Sequence, residues 1–258
     1  MDKLNISEFI ISENLKNNQK KKCLCVIMPA YNEGIHIKDN LLKASKIISG
    51  FVHNYQIIAV DDGSSDNTLS EIISASESDS QISYISYNPN QGKGKAITSG
   101  ISYANSDYIA FLDSDLELNP MMLKSFLKAM KEKNADIVIG SKMHKDSKLE
   151  YPLKRRIMSF GYYVILKMMF RLDIKDTQTG IKLFKSQVIK SLTENMLTDG
   201  YAFDIEILAK ANKAGCKIIE MPIELKFKRE RKEKSRISFK TSKKVFSDTL
   251  KIKKALND

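Results

Sequence analysis

Tyr108 to Glu117 read YIAFLDSDLE, an apolar run that stops abruptly at two aspartates one residue apart. On an extended backbone, side chains i and i+2 lie on the same side, so Asp113 and Asp115 can converge on one hard cation. That is the outline of a metal-diphosphate site, although acidic residues at strand ends also serve as turn and capping groups. Three further clusters carry related chemistry. Pro29-Ala30-Tyr31-Asn32-Glu33 follows a second apolar run, and Asp61-Asp62-Gly63-Ser64-Ser65-Asp66 follows a third. Each could be a turn leading into a helix, with Asn32 or an aspartate as cap. Asn88-Pro89-Asn90-Gln91-Gly92-Lys93-Gly94-Lys95 supplies two glycines and two lysines where a helix is expected to begin. Glycines let backbone amides approach a ligand and a helix N-terminus favours anions, which makes Lys93 a candidate phosphate contact. The Walker A pattern, Gly-x-x-x-x-Gly-Lys-Ser/Thr, is not met.

The elements that must position these clusters are legible from periodicity. Short apolar runs at Cys23–Met28, Gln56–Val60, Ile82–Ser86, Tyr108–Leu112 and Asp136–Ile139 alternate with amphipathic stretches. This is the pattern of an α/β fold, a parallel sheet with crossover helices. In open α/β sheets the ligand crevice lies outside the carboxyl ends of the strands. The clusters after the first, second and fourth runs would therefore meet in one site.

A chain of 258 residues with 42% hydrophobic content can bury the core of one sizeable α/β domain. No stretch approaches the roughly 20 apolar residues of a membrane span, and residues 1–22 are too polar for a signal peptide, so a cytoplasmic location is expected. Those first residues carry no chemistry and are expected to be mobile. Cys23, Cys25 and Cys216 suit neither a disulfide framework nor a complete zinc site and read as reduced core thiols. His36, His53 and His144 are scattered and form no cluster. The net charge of +11 calls for an anionic partner, and positive charge is densest from Lys226 to Lys254. Nucleic acid is disfavoured, because the basic tail lacks interleaved aromatics for base stacking and would leave three acidic strand ends unexplained.

The ordered motifs VIMPAYNE, AVDDGSSD, NQGKGKA, FLDSDLE, KRRIMSFG, DTQTGIKLF and GYAFDIE, spread from Cys23 to Arg236, resemble the family-2 glycosyltransferases of GT-A fold. Within that family they are most similar to the polyprenyl-phosphate (dolichyl-phosphate) hexose transferases. The resemblance implies a GT-A catalytic domain over residues 23–225, followed by a basic loop and amphipathic helix over 226–258. It implies that Pro29, Tyr31, Glu33 and Asp61 hold the nucleotide with Asp62 beside them, and that Asp113 and Asp115 bind Mg²⁺ or Mn²⁺. Glu117 stands where relatives also use Gln as a metal ligand. Lys142, Arg155 and Ser159 fall at phosphate-binding positions, Lys142 replacing the more usual Arg, which gives up bidentate recognition but keeps the charge. Gln178 lies in the acceptor-side loop, and Arg236 on a loop that closes over phosphates. The implied partners are a nucleotide sugar (UDP-glucose or GDP-mannose), a polyprenyl phosphate and a membrane surface. The wording of NQGKGKA and DTQTGIKLF is closer to the glucosyl branch.

Elementary chemistry adds to this. A nucleoside diphosphate leaves with several negative charges, which a divalent ion offsets. A phosphate monoester acceptor has its second pKa near about 6, so it is already anionic at neutral pH and needs no base. The protein must instead hold phosphates together, for which Lys142, Arg155, Arg229, Arg231 and Arg236 are the available cations. Direct in-line attack predicts inversion at the anomeric carbon. A hydroxyl acceptor, the alternative, would require a carboxylate base such as Asp204 or Glu206. The absence of Trp excludes the Gln-x-x-Arg-Trp signature of processive synthases. Two segments fit a membrane surface: the short apolar run Ile157–Phe170, and a helix with Val245, Phe246, Thr249, Leu250 and Leu256 among lysines. Both fit equally well as helices packed on the main domain.

Overall fold

The structure, a computed structural model, describes residues 9–16, 20–149, 163–225 and 239–257. The chain forms two compact units, Met1–Leu116 and Glu117–Asp258.

In the first unit the strands are β1 (Ile10–Ile11), β2 (Lys22–Ala30), β3 (Tyr55–Asp62), β4 (Ile82–Tyr87) and β5 (Ser106–Leu112). The helices are α1 (Glu13–Lys16), α2 (Ile37–Ser49), α3 (Thr68–Ser78) and α4 (Lys93–Tyr103). The strands lie in the order β1-β4-β3-β2-β5. β2 pairs in parallel with β3 on one side and β5 on the other, β3 pairs in parallel with β4, and β1 closes the edge antiparallel to β4. Leu24 to Met28 on β2 and all of β3 are buried, as central parallel strands covered on both faces must be. Chain order reverses direction between β2 and β5, so the switch point, with its crevice beyond the strand ends, lies where Tyr31–Glu33, Asp61–Asp62 and Asp113 emerge.

The helices follow from their apolar stripes. α2 buries Ile37, Leu41, Ala44 and Ile48, a single face at helical spacing, and packs with α3 beside β3. Residues 9–16 lie inside the segment expected to be mobile, yet they are anchored to β4. Ser12 N–H donates to the Tyr84 carbonyl, Tyr84 N–H donates back to Ser12 Oγ, and Phe9 meets the Tyr87 ring edge-on at 5.4 Å.

The second unit carries β6 (Ile137–Ser141), β7 (Lys148–Leu149), β8 (Ile181–Lys185), β9 (Ile218–Pro222) and β10 (Glu224–Leu225). Its helices are α5 (Met122–Glu132), α6 (residues 163–170), α7 (Ser186–Leu192), α8 (Phe203–Lys213) and α9 (Phe239–Asn257). β6 is central, antiparallel to β8 and parallel to β9, while β10 pairs in parallel with β7. All five strands expected from apolar runs are present, and the mostly parallel α/β architecture is as expected. No helix among the described residues is long and apolar enough to cross a membrane.

Candidate active site

The strand ends of the first unit are tied to one another by side-chain hydrogen bonds. After β2, Asn32 takes a positive φ of 53° and bridges to the loop after β3: its N–H donates to Ser64 Oγ at 3.0 Å, and its Oδ1 accepts from Ser65 N–H at 2.9 Å. Glu33 N–H donates to Thr68 Oγ1 and Gly34 N–H to Asp66 Oδ2. A Cβ on Gly34 would lie 1.9 Å from Asn67 Oδ1, so any larger residue here would have to displace the Asn67 side chain. Asp66 also accepts from Thr68 N–H and Oγ1. Burial pushes its carboxyl up, but these donors outweigh it and leave the group below its usual range. Pro29, next to last in β2, is half-buried, Tyr31 is exposed, and Glu33 is buried.

At the end of β3 two adjacent carboxylates face different tasks. Asp61 is buried and accepts from Ser86 Oγ on β4 and from Ser64 N–H. Asp62, also buried, gathers the loop that leads into α4: its carboxylate accepts from Tyr87 OH, Asn90 Nδ2, Gln91 N–H and Gly92 N–H at 2.8–2.9 Å. Burial raises its pKa above the usual carboxylate value, and the donors offset only part of that cost. Gly63, next along, has φ +65°, and a Cβ there would sit 2.4 Å from Asn90 N. The DDG turn and the 88–92 loop are thus built against each other.

That loop delivers Lys93, the first residue of α4, to Asp113 at the end of β5, with Nζ 2.5 Å from Oδ1. Asp113 and Asp115 are partly exposed while Ser114 between them is buried, the alternation expected of carboxylates on one side of the chain. The segment is pinned from α2, where Asn40 Nδ2 donates to the Ser114 carbonyl at 2.9 Å. Leu116 N–H closes a turn onto the Asp113 carbonyl. Among the described residues no three His, Cys, Asp or Glu side chains converge on a point. Two carboxylates nonetheless fit Mg²⁺ or Mn²⁺, which takes its remaining ligands from water and substrate phosphates. The Lys93 ammonium against Asp113 shows that this carboxylate attracts a cation. Glu117 is exposed, at the start of the second unit.

The second unit holds the residues expected on the acceptor side, arranged differently. Lys142, just beyond β6, donates its backbone N–H to Asp176 Oδ2 and places its ammonium 3.7 Å from the same oxygen. Asp176 also accepts from Thr179 Oγ1 and Gln178 N–H, and Glu220 on β9 receives the N–H groups of Lys175 and Asp176. This scaffold leaves Gln178 exposed. Beneath it Lys182, 2% exposed, donates to the Thr179 carbonyl and pairs with Asp204 at 2.6 Å. Glu206, fully buried, accepts from Leu197 N–H and Thr198 Oγ1 and pairs with Lys210. Arg155, Ser159, Arg229, Arg231 and Arg236 lie outside the described residues.

The profile of the family described as "Glycosyl transferase family 2" matches residues 25–193. The chain belongs to that family. Among curated proteins it is 30% identical over 213 residues to a dolichyl-phosphate beta-glucosyltransferase of Dictyostelium discoideum, covering 78% of this chain and 65% of that protein. It is also 30% identical over 234 residues to an uncharacterized protein of Methanocaldococcus jannaschii, covering 86% of this chain and 94% of that one. The chain therefore spans just under two thirds of the Dictyostelium relative. Among solved structures, glucosyl-3-phosphoglycerate synthase from Mycobacterium tuberculosis, in complex with Mn²⁺, UDP and glucosyl-3-phosphoglycerate, superposes with a TM-score of 0.66 at 18% identity. That match covers 90% of this chain and 80% of that one and establishes a shared GT-A fold.

Several residues of this family-2 domain that shape the site escaped sequence reasoning. Ser86, Asn40 and Thr68 tie the site together through hydrogen bonds to partners 25 to 74 positions away. The Lys182–Asp204 pair had a faint signal, a lysine placed inside the apolar run Ile181–Phe184, where a central strand should carry none.

Proposed function

We propose that this family-2 domain transfers a hexose from a nucleotide sugar to a polyprenyl phosphate, with inversion, at the cytosolic surface of a membrane. The observation that carries the reading is the gathering of Glu33, Asp61, Asp62, Lys93 and Asp113 at the switch point of the first unit. Asp113 and Asp115 would hold Mg²⁺ or Mn²⁺, which supplies Lewis-acid neutralisation of the departing diphosphate. Tyr31, exposed, would cover the nucleoside, with the buried Glu33 and Asp61 fixing the loops around it. Lys93 adds a fixed positive charge next to the carboxylates, where charge develops on the leaving group.

The acceptor class rests on the second unit. The two carboxylates that a hydroxyl acceptor would recruit as a base are both buried and committed, Asp204 to Lys182 and Glu206 to Lys210 and Thr198. Buried and ion-paired, neither carboxylate is presented to an acceptor hydroxyl. A phosphate monoester brings its own anionic nucleophile, and this supports the lipid-phosphate reading, in line with the similarity to the Dictyostelium dolichyl-phosphate beta-glucosyltransferase. On the same comparison we assign glucose as the sugar, which favours UDP-glucose of the two expected donors.

The test is transfer of labelled hexose into an organic-extractable product, with Mn²⁺, a short polyprenyl phosphate and either UDP-glucose or GDP-mannose. Organic-phase label from UDP-glucose is the expected result, and a β-linked product from that α-linked donor would establish inversion. Label from GDP-mannose alone would change the sugar. Donor binding with no organic label from either would overturn the acceptor.

A further inference from the structure

Helix α9 divides its residues in a way that periodicity alone did not reveal. Asp248, Thr249 and Ile252 are buried, and α9 packs along α8. Lys213 on α8 donates to the Leu256 carbonyl at 2.5 Å, and the Lys253 ammonium sits 5.8 Å from the centre of the Phe170 ring. Of the apolar stripe expected to face a membrane, Thr249 is therefore spent on the domain, and Val245 and Leu256 are half-buried at its margin. Phe246 and Leu250, one turn apart, remain 49% exposed each.

The surroundings of those two side chains are one-signed. α9 contains six lysines and a single acidic residue. That residue, Asp248, is buried and paired with Lys251. Lys244, Lys251 and Lys254 are exposed. α6, which ends at Phe170, adds Met168 (72% exposed) and Ile165 to the apolar groups of this unit that face solvent. A helix needing only to cover α8 gains nothing from an outward Phe and Leu, and two such groups are far short of the roughly 800 Å² per partner that a stable protein interface buries. A shallow apolar ridge edged by lysines is instead the composition of an interfacial helix, where modest insertion and attraction to anionic lipid act together.

We infer that the outward face of α9, Phe246 and Leu250 with the exposed Lys254 one turn beyond Leu250 and the exposed Lys244 further round the helix, docks on an anionic lipid bilayer, with the two apolar side chains entering the headgroup layer. For its use this rests on the polyprenyl-phosphate reading, since a lipid acceptor must be met at a membrane surface. Its test does not involve sugar transfer. The full chain is sedimented with vesicles of phosphatidylcholine alone or mixed with phosphatidylglycerol. Binding to the mixed vesicles is expected, weakened by added salt, and reduced at least about tenfold by Phe246→Glu/Leu250→Glu and by Lys244→Glu/Lys254→Glu. Both pairs leave the buried face of α9 untouched, and circular dichroism with donor affinity would verify the fold. No sedimentation of the wild type with anionic vesicles, or undiminished sedimentation of the Phe246/Leu250 variant, would overturn the inference. So would self-association of the wild type that the same variant abolishes without any vesicle binding. If vesicles bind as expected but no polyprenyl phosphate accepts sugar, the acceptor reading fails and the docking face stands.

Discussion

The two units handle carboxylates in opposite ways. In the first, Asp61, Asp62 and Asp66 are held by backbone N–H groups, hydroxyls and an amide, donors that carry no net charge. In the second, Asp176, Asp204 and Glu206 each have a lysine, Lys142, Lys182 and Lys210. Neutral donors satisfy the oxygens but leave the negative charge in place, so the first unit keeps a field that attracts cations. Ion pairs cancel it, which suits the second unit to the anionic acceptor proposed above. At the strand ends of the first unit Lys93 reaches Asp113, a group proposed to hold the metal ion.

The contrast is broken most severely at Asp115. Asp115→Asn keeps the volume and removes the charge, so transfer is expected to fall on the order of 10²–10³-fold with the melting temperature unchanged. Chelation by EDTA should inhibit the wild type and Mn²⁺ should restore it. Activity of the variant close to wild type with Mn²⁺ present would return the Asp-x-Asp segment to an ordinary turn.

Next in size is the buried pair of the second unit. Lys182→Met strands Asp204 in the interior and is expected to cost about 3–5 kcal/mol of stability by urea unfolding, whereas Lys182→Met/Asp204→Leu should return to near wild type. If the double variant is stable but loses transfer, the pair serves the acceptor as well as the fold. A small effect of Lys182→Met would mean that solvent reaches the pair.

The difference between the units also explains what could be read in advance. Strand runs such as Gln56–Val60 and Tyr108–Leu112 are continuous apolar segments, and the clusters that follow them are polar in a way no core tolerates, so the first unit's sheet and its site were legible together. In the second unit the strands are short, and β8 carries Lys182 as its second residue, which obscures the pattern. β1 was invisible for another reason: two residues have no period, and Ile10–Ile11 becomes a strand only because β4 offers an edge. α9 showed its period but not its polarity, because a stripe of apolar residues does not reveal which part of it a neighbouring helix will cover.

Gly63 sharpens the account of the first unit. Gly63→Ala must place a Cβ against Asn90 N in a left-handed conformation, which alone costs about 1–2 kcal/mol. Since the contact is with the loop that Asp62 gathers and that carries Lys93, donor affinity should fall along with stability. Unfolding at wild-type denaturant concentration together with unaltered donor binding would show that the loop can shift without consequence.

The smallest effect separates the units by pH. Asp136, at the start of β6, accepts from Lys185 Nζ at 2.8 Å and from Lys217 N–H at 2.9 Å, and chiefly the lysine holds its pKa below 3.8. A depressed folded-state pKa contributes stability that is complete above the unfolded value and is lost as pH falls through the folded one. Asp136→Asn should therefore cost up to about 1 kcal/mol near neutrality, and the gap to wild type should close below pH 3.8. Asp62 has the opposite sign. Its raised pKa means that ionisation penalises the fold above the folded-state value, a penalty that disappears as pH falls toward 3.8. Unfolding free energies of wild type, Asp136→Asn and Asp62→Asn measured from neutral to acid pH should show the two differences from wild type changing in opposite directions. The same direction for both would mean that the neutral donors around Asp62 neutralise its charge as fully as a lysine does, and the contrast between the units would be lost.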